Sequence, residues 1–201
     1  LLAFFLLNVL LLPQNVEASC LEDFKEVSAE INLHHAKKFE IHNNDDGVLV
    51  LNLKPAPGQK QSAYWFSKEK SPCSSWVHIK PANKKLVALS GTHLTFLEFL
   101  DSLESVVGVG QAKYIYNSDI QKLIEKEKIQ TLGHPPQVEA TLKSKADFIL
   151  GFATSSANIE MGRLGSGGFL PVIYVSEFYE ESPLARAEWI KFLGVFVEEF
   201  Q

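Results

Sequence analysis

The chain has 201 residues, of which 46% are hydrophobic and 21% charged, so it is long and apolar enough to build its own core. This composition excludes a disordered tail, a collagen-like repeat and a small disulfide-dense scaffold. The formal net charge of -5 argues against a nucleic-acid partner, because such proteins need a basic face. The single methionine is Met161, and a helical pattern reaches Gln201 without a stop signal, so we expect a fragment of a longer protein.

The first 19 residues have the pattern of a secretory signal peptide. Residues 1–12 are apolar except for Asn8, a length that is too short to span a bilayer but suits the hydrophobic region of a signal. Small residues follow, so cleavage is expected either before Ser19 or, as in lipoproteins, before Cys20. The sequence therefore predicts an exported protein.

The two cysteines, Cys20 and Cys73, allow two interpretations. In one, Cys20 becomes a lipid-modified N-terminus that anchors the protein to the membrane, and the charged segment behind it is a tether. In the other, Cys20 and Cys73 form a disulfide, which an exported protein permits. The place of Cys20 at the cleavage zone favours the lipid anchor, and with it a periplasmic or cell-surface lipoprotein.

Residues 20–83 have the pattern of a β-rich N-terminal extension. Strand-like runs at 39–42 and 48–53 flank a polar segment that ends in Asp-Gly, which predicts a β-hairpin. Further short strands are expected at 63–66 and 76–79.

Residues 84–182 alternate strands with helices, which is typical of an α/β lobe with a mostly parallel, Rossmann-like sheet flanked by helices. Thr92 and Asn117 are candidate helix caps, and Pro183 opens a last helix over 183–201. In such sheets, ligands bind at the carboxyl ends of the strands. The segments at those ends are 90–93, 110–116, 133–134, 152–156 and 176–179.

Polar and aromatic residues at the predicted strand ends are the candidate ligand-binding set. Aromatic side chains in loops suit a large planar or apolar ligand. His93 and His134 could hydrogen-bond a ligand, or could ligate a metal together with a carboxylate such as Glu177. The whole set is Ser90, Thr92, His93, Tyr114, Tyr116, His134, Glu177 and Tyr179.

Motifs for covalent catalysis and nucleotide binding are absent from the sequence. There is no G-x-S-x-G turn and no phosphate-binding loop, and Gly108-Val109-Gly110 lacks the third glycine of a dinucleotide fingerprint. We therefore do not expect an enzyme.

Five segments in series resemble the iron-siderophore and cobalamin binding proteins of ABC importers. The first is the strand and loop KKLVALSGTH, and the second is SVVGVG followed by YIYN. The third contains QVEA and KADFIL, the fourth is PVIYV, and the last is SPLARAEWIKFLG. They lie, in order, at 84–93, 105–117, 137–150, 171–175 and 182–194, so the resemblance covers residues 84–201.

This resemblance implies a two-lobed, non-catalytic protein that captures an iron-siderophore, haem or cobalamin-type chelate and delivers it to a permease and ATPase complex. It implies that residues 183–201 begin the helix joining the lobes and that the second lobe is missing from this chain. It also implies that Glu139, in the first turn of a helix, pairs with permease arginines. Gln137 and Ala146 depart from the family pattern, which has Asn and Pro there.

The sequence is also compatible with two other functions. A bare metal ion held by His93, His134 and a carboxylate would make this a metal-ion binding protein of an importer. Alternatively, the lobe could belong to a sensor or adhesion module without a transport role. Aromatic residues at the strand ends favour a large chelate, whereas converging histidines and carboxylates would favour a bare ion.

Overall fold

The computed structural model describes residues 14–53, 61–81, 85–152, 165 and 170–197, with side chains from Cys20 onward. Most of the predicted signal peptide lies outside these residues. Helix α1 (Gln14–Val27) begins within the last six residues of the predicted signal peptide and continues past Cys20. The sequence had predicted a linker that leads into a short helix after Cys20. Among the described helices, none has both the length and the apolar character needed to cross a membrane.

The N-terminal extension folds into a mixed sheet of five strands in sequence order, which we call sheet A. Its strands are β1 (Ala29–Glu30), β2 (Phe39–Asn44), β3 (Gly47–Asn52), β4 (Ser62–Phe66) and β5 (Val77–Ile79), and all pairs are antiparallel except β4 with β5. The predicted hairpin is β2–β3, and Asn44 Oδ1 closes its turn by accepting the Asp46 N–H at 3.0 Å. A Cβ on Gly47 would lie 2.7 Å from that of Ser67, so only glycine fits there.

Residues 85 onward form a second sheet of five parallel strands, sheet B, in the order β10-β9-β6-β7-β8. Its strands are β6 (Leu86–Ala88), β7 (Val106–Val109), β8 (Gln130–Thr131), β9 (Phe148–Gly151) and β10 (Val172–Tyr174). The intervening helices are α2 (Gly91–Phe99), α3 (Ser118–Glu125) and α4 (Val138–Lys143). The predicted α/β architecture with a parallel sheet is confirmed.

The helix starts agree with the sequence in one case and differ in another. Asn117 caps α3 as predicted, because its Oδ1 accepts the N–H groups of Asp119 and Ile120 at 3.0 Å. Helix α2 begins earlier than expected, and Ser90 rather than Thr92 is its cap. The Ser90 hydroxyl accepts the Thr92 N–H at 3.2 Å, since an N-cap side chain reaches the second or third N–H of its helix.

The last helix, α5 (Pro183–Val197), packs against both sheets and is buried along most of its length. Its Trp189 and Phe192 contact Phe39 of sheet A, with ring centroids 4.9 and 5.5 Å apart. Its Phe196 contacts Phe148 of sheet B at 6.3 Å. The extension and the α/β unit therefore share one hydrophobic core.

Side chains of sheet A also satisfy the open edge of sheet B. Strand β10 is an edge strand, and the N–H of its Tyr174 donates to the Tyr64 hydroxyl at 2.9 Å. The Tyr174 carbonyl accepts from Asn52 Nδ2 at 2.7 Å. An uncovered edge would expose unpaired backbone groups, so these contacts cap strand β10.

The other face of sheet A packs against α1 around a disulfide. Phe24 of α1 contacts Trp65 and Trp76 edge to face, and Cys20 is bonded to Cys73 with their Cα atoms 6.1 Å apart. A sulfur atom in a disulfide cannot carry the thioether lipid of a lipoprotein. The structure contains the disulfide, the second of the two arrangements that the sequence allowed, and the lipid anchor on Cys20 stays a prediction.

Candidate functional site

A cavity of about 170 Å³ opens at the carboxyl ends of the sheet B strands. Loops after β6, β7, β8 and β9 all contribute to it, as expected for a parallel sheet. Its lining residues are Ala88, Leu89, Ser90, Gly91, Leu94, Gly110, Gln111, Tyr114, Ile115, His134 and Phe152. None of them is Asp, Glu, Lys or Arg, so the described wall has no carboxylate, ammonium or guanidinium group.

Three of the predicted ligand-binding residues, Ser90, Tyr114 and His134, line this cavity. Ser90 is placed by its role as the cap of α2. Its hydroxyl oxygen accepts the Thr92 N–H, so its own O–H group is free to donate to a bound molecule.

His134 and Phe152 form the flat part of the cavity wall. Their rings are nearly parallel, with an interplanar angle of 13° and centroids 6.0 Å apart. His134 follows β8, and Phe152 is the first residue after β9. The sequence marked Phe152 only as part of a strand-end segment, because the pairing of its ring with His134 depends on the strand order.

Tyr114 and Tyr116 take different positions although they are close in sequence. The backbone makes a 3-10 turn over Ala112–Tyr114, and the next residue, Ile115, is buried. Tyr114 lines the cavity and is 62% exposed, whereas Tyr116 is 88% exposed and does not line it. The expectation that both tyrosines contribute to the wall is correct for Tyr114 alone.

His93 and Thr92 do not line the cavity either, because of helix geometry. His93 is completely buried on the same face of α2 as Leu94 and Leu97, whereas Thr92 faces solvent. Neither ring nitrogen of His93 has a hydrogen-bond partner among the described residues. Burial lowers the pKa of His93 to about 3, and the nearby Leu150 backbone opposes this only in part. His93 is therefore a neutral core residue.

Glu177 and Tyr179 follow the edge strand β10 and also lie outside the cavity lining. Glu177 is 8% exposed, and its Oε2 has no hydrogen-bond partner within the described part of the chain. Burial raises the pKa of Glu177, and the Arg186 charge opposes that shift. Tyr179 packs against Phe178 with ring centroids 4.4 Å apart.

The structure does not bring together the residues proposed to ligate a bare metal ion. Of His93, His134 and Glu177, His134 alone lines the cavity. Across the described residues, no group of three or more His, Cys, Asp or Glu is placed to hold a metal ion.

Glu139 lies in the first turn of α4, as predicted, with its side chain 83% exposed. Its carboxylate forms an ion pair with Lys143 one turn later, at 2.9 Å. Both groups face solvent, so the pair contributes little to stability, and Glu139 remains accessible to a partner.

No protein-family model matches this chain, and a search of curated proteins finds none that is significantly similar.

Proposed function

We propose that this chain is the substrate-binding component of an ABC importer and that it captures an iron-siderophore, haem or cobalamin-type chelate. The observation that carries the proposal is the cavity at the ends of four strands. Tyr114 and the stacked rings of His134 and Phe152 line it, and its wall contains no Asp, Glu, Lys or Arg. Flat aromatic walls suit planar, partly apolar ligands. One of these three rings, that of Tyr114, belongs to a segment that resembles the importer family.

The size of the cavity favours a large ligand that is bound only in part by the described residues. Its volume of about 170 Å³ is below the roughly 300–1,000 Å³ of a complete small-molecule pocket. One ring or arm of a chelate fits such a space, and the rest would lie outside it. A bare ion would instead need converging ligands, and among the described residues no three His, Cys, Asp or Glu are placed to hold one.

The same proposal includes an exported location and a membrane partner. The disulfide between Cys20 and Cys73 is compatible with an oxidising compartment such as the periplasm or the cell surface. Glu139 is proposed to meet arginines of the permease, and its exposure supports this role. No catalytic step is proposed.

Titration of the purified protein with ferric enterobactin, ferrichrome, haemin and cyanocobalamin tests the proposal, with tryptophan fluorescence and calorimetry as readouts. We expect at least one of them to bind with one-to-one stoichiometry. Tyr114→Ala and His134→Ala should each weaken that binding about fivefold, since one aromatic contact contributes about 1 kcal/mol.

Tyr116→Ala is the matched control, because Tyr116 belongs to the same loop but does not line the cavity. If none of the four compounds binds, or if Tyr116→Ala weakens binding as much as Tyr114→Ala, the proposal is wrong. Saturable binding of free Fe³⁺ or Zn²⁺ that is insensitive to Tyr114→Ala would indicate the metal-ion alternative.

A further inference from the structure

A second cavity lies against sheet A, on the side covered by α1. Strands β3 and β4 are antiparallel and Val48 pairs with Phe66, so the β2–β3 turn and the loop after β4 lie at the same end of the sheet. Together with α1 they enclose a space of about 520 Å³, within the roughly 300–1,000 Å³ of a small-molecule pocket. In the described part of the chain, this sheet A cavity shares no lining residue with the cavity of sheet B.

The floor of the sheet A cavity is apolar and aromatic. Phe24 of α1 and Trp65 of β4 line it, with their rings edge to face and the ring centroids 5.3 Å apart. Pro72 and Val27 also line it, and the Val27 side chain is 69% exposed. A ligand that covers these side chains removes apolar surface from water, which favours a ligand with an apolar body.

The rim of the sheet A cavity carries an excess of negative charge. Asp23 on α1, Asp46 in the β2–β3 turn and Glu69 in the loop after β4 are exposed lining residues. Lys70 is the one cationic residue in the described lining. The carboxylates therefore come from three separate elements around one space and outnumber the ammonium groups three to one. This local charge favours a cation, and the formal net charge of -5 of the whole chain acts in the same direction.

The walls of the sheet A cavity are tied to one another. The disulfide between Cys20 and Cys73 joins α1 to the loop after β4. The Ser67 hydroxyl donates to the Asp46 carbonyl, which joins the same loop to the β2–β3 turn. A pocket whose walls are already held in place loses less conformational freedom when a ligand binds.

We infer that the sheet A cavity is a second binding site, which takes a small organic cation with an apolar body. The body would cover Phe24 and Val27, and the ammonium group would lie among the carboxylates of Asp23, Asp46 and Glu69. The inference goes beyond the proposed function, because it concerns different residues and an amine rather than a metal chelate. An anion of the same shape is disfavoured by the charge of the rim.

The test compares three probes by calorimetry and ligand-observed NMR. Tryptamine carries an ammonium group on an aromatic body, indoleacetate carries a carboxylate on the same ring system, and putrescine is cationic without a ring. We expect tryptamine to bind with one-to-one stoichiometry and about tenfold more tightly than either of the other two. Its affinity should fall as salt is raised, because exposed charges are screened.

The double variant Asp46→Asn/Glu69→Gln should weaken tryptamine binding about threefold to tenfold at low salt, because two carboxylates of the rim lose their charge. Their backbone carbonyls accept from the Ser67 hydroxyl and from Trp65 Nε1, and the substitutions leave both hydrogen bonds in place. The unfolding free energy of this variant should therefore match that of the unmodified protein, which urea unfolding measures.

Asp45→Asn/Glu22→Gln is the matched control. It removes the same charge from exposed neighbours of Asp46 and Asp23 that do not line the cavity, so tryptamine binding should stay nearly unchanged. The inference is overturned if tryptamine does not bind, if indoleacetate binds as tightly, or if the control weakens binding as much as Asp46→Asn/Glu69→Gln. Loss of tryptamine binding in Tyr114→Ala would also overturn it, since Tyr114 lines the cavity of sheet B. The proposed function is tested separately with the metal chelates, and neither result decides the other.

Discussion

The backbone N–H of Ala36 donates to the Glu188 carboxylate at 2.8 Å, although 152 positions separate the two residues. The same carboxylate accepts from the N–H groups of His34 and His35 at 2.8 and 2.7 Å, and from the Lys191 ammonium at 2.8 Å. Glu188 is on α5 and Ala36 is in the N-terminal extension. The last helix therefore holds the extension in place by a buried carboxylate.

Replacing Glu188 with Gln should lower the free energy of unfolding by about 2–3 kcal/mol at neutral pH. Burial by itself would raise the pKa of Glu188, but Lys191 and the N–H groups of Ala36, His34 and His35 outweigh it and lower that pKa to about 2. A depressed pKa means that this stabilisation is present above the ordinary pKa of 4.5 and is lost as the pH falls through about 2.

Urea unfolding of Glu188→Gln and the unmodified protein at pH 7 and pH 3 measures this difference. The gap between the two proteins should shrink at pH 3. Glu181→Gln is the control, because Glu181 is nearby in sequence and exposed. A gap that is equal at both pH values would show that the Glu188 charge contributes nothing.

Replacing Tyr64 with Phe should cost about 1–2 kcal/mol, because it leaves the partly buried N–H of Tyr174 without its acceptor. Tyr64 is 1% exposed, so water cannot take the place of its hydroxyl without disrupting the packing. Chemical denaturation followed by tryptophan fluorescence measures the loss. Tyr116→Phe should be neutral, since Tyr116 is 88% exposed, and equal effects of the two substitutions would contradict this role of Tyr64.

The protein should lose stability on mild acidification because His93 is buried in its neutral form. The unfolded chain takes up a proton near pH 6.5, whereas the folded state does so only near pH 3. The contribution of His93 to stability is therefore complete above about pH 6.5 and decreases as the pH falls towards 3, by on the order of 5 kcal/mol over the whole window. Glu177 acts in the opposite direction, since burial raises its pKa.

Comparison with His93→Leu separates the two contributions. Its unfolding free energy should change less between pH 7 and pH 5 than that of the unmodified protein, because the titrating group is gone while Glu177 is retained. His35→Leu, at an exposed side chain, should leave the pH dependence unchanged. Identical pH profiles for the unmodified protein and His93→Leu would refute the assignment.

Reduction of the Cys20–Cys73 disulfide should lower stability by about 2–4 kcal/mol, because the cross-link restricts the unfolded chain over a separation of 53 residues. Cys20→Ala should reproduce the loss and make it insensitive to reductant. Alkylation under non-reducing conditions followed by mass spectrometry should find neither cysteine labelled. A lipid on Cys20 with a labelled Cys73 would instead support the anchor that the sequence favoured.

Glu139→Gln should leave folding and ligand affinity nearly unchanged, because the Glu139–Lys143 pair is exposed. In reconstituted vesicles that contain the permease and ATPase, the same substitution should lower ligand-dependent ATPase stimulation, most clearly at low salt. Asp119→Asn, which breaks the comparable exposed pair with Lys122, is the control. Unchanged stimulation by Glu139→Gln would leave Glu139 with its role at the start of α4 alone.

The sequence was sufficient for the local features of the fold. The Asp-Gly turn predicted the β2–β3 hairpin, Asn117 marked the start of α3, and the alternation of strands and helices predicted the parallel sheet B. Each of these features depends on contacts within a short stretch of chain, so the pattern of residues records it directly. The strand ends likewise pointed to the loops that line the cavity.

The membership of the cavity wall depended on information that a pattern does not hold. His93 and Ser90 are three residues apart, yet one turn of α2 places His93 in the core and leaves Ser90 at the cavity. Glu177 follows the edge strand β10 and His134 follows the opposite edge strand β8, yet the cavity is lined by the loop after β8 and not by the loop after β10. Helix phase and the three-dimensional course of the loops decide which of the candidate residues meet.

By itself, the sequence determined the parallel type of sheet B, the position of the hairpin and the strand ends whose loops line the cavity. The tertiary structure alone decided that α5 lies against both sheets and that Tyr64 and Asn52 cap β10. It also brought Cys20 and Cys73 together as a disulfide. These features join residues that are far apart along the chain, and such contacts are fixed by the packing of whole elements rather than by any local pattern of residues.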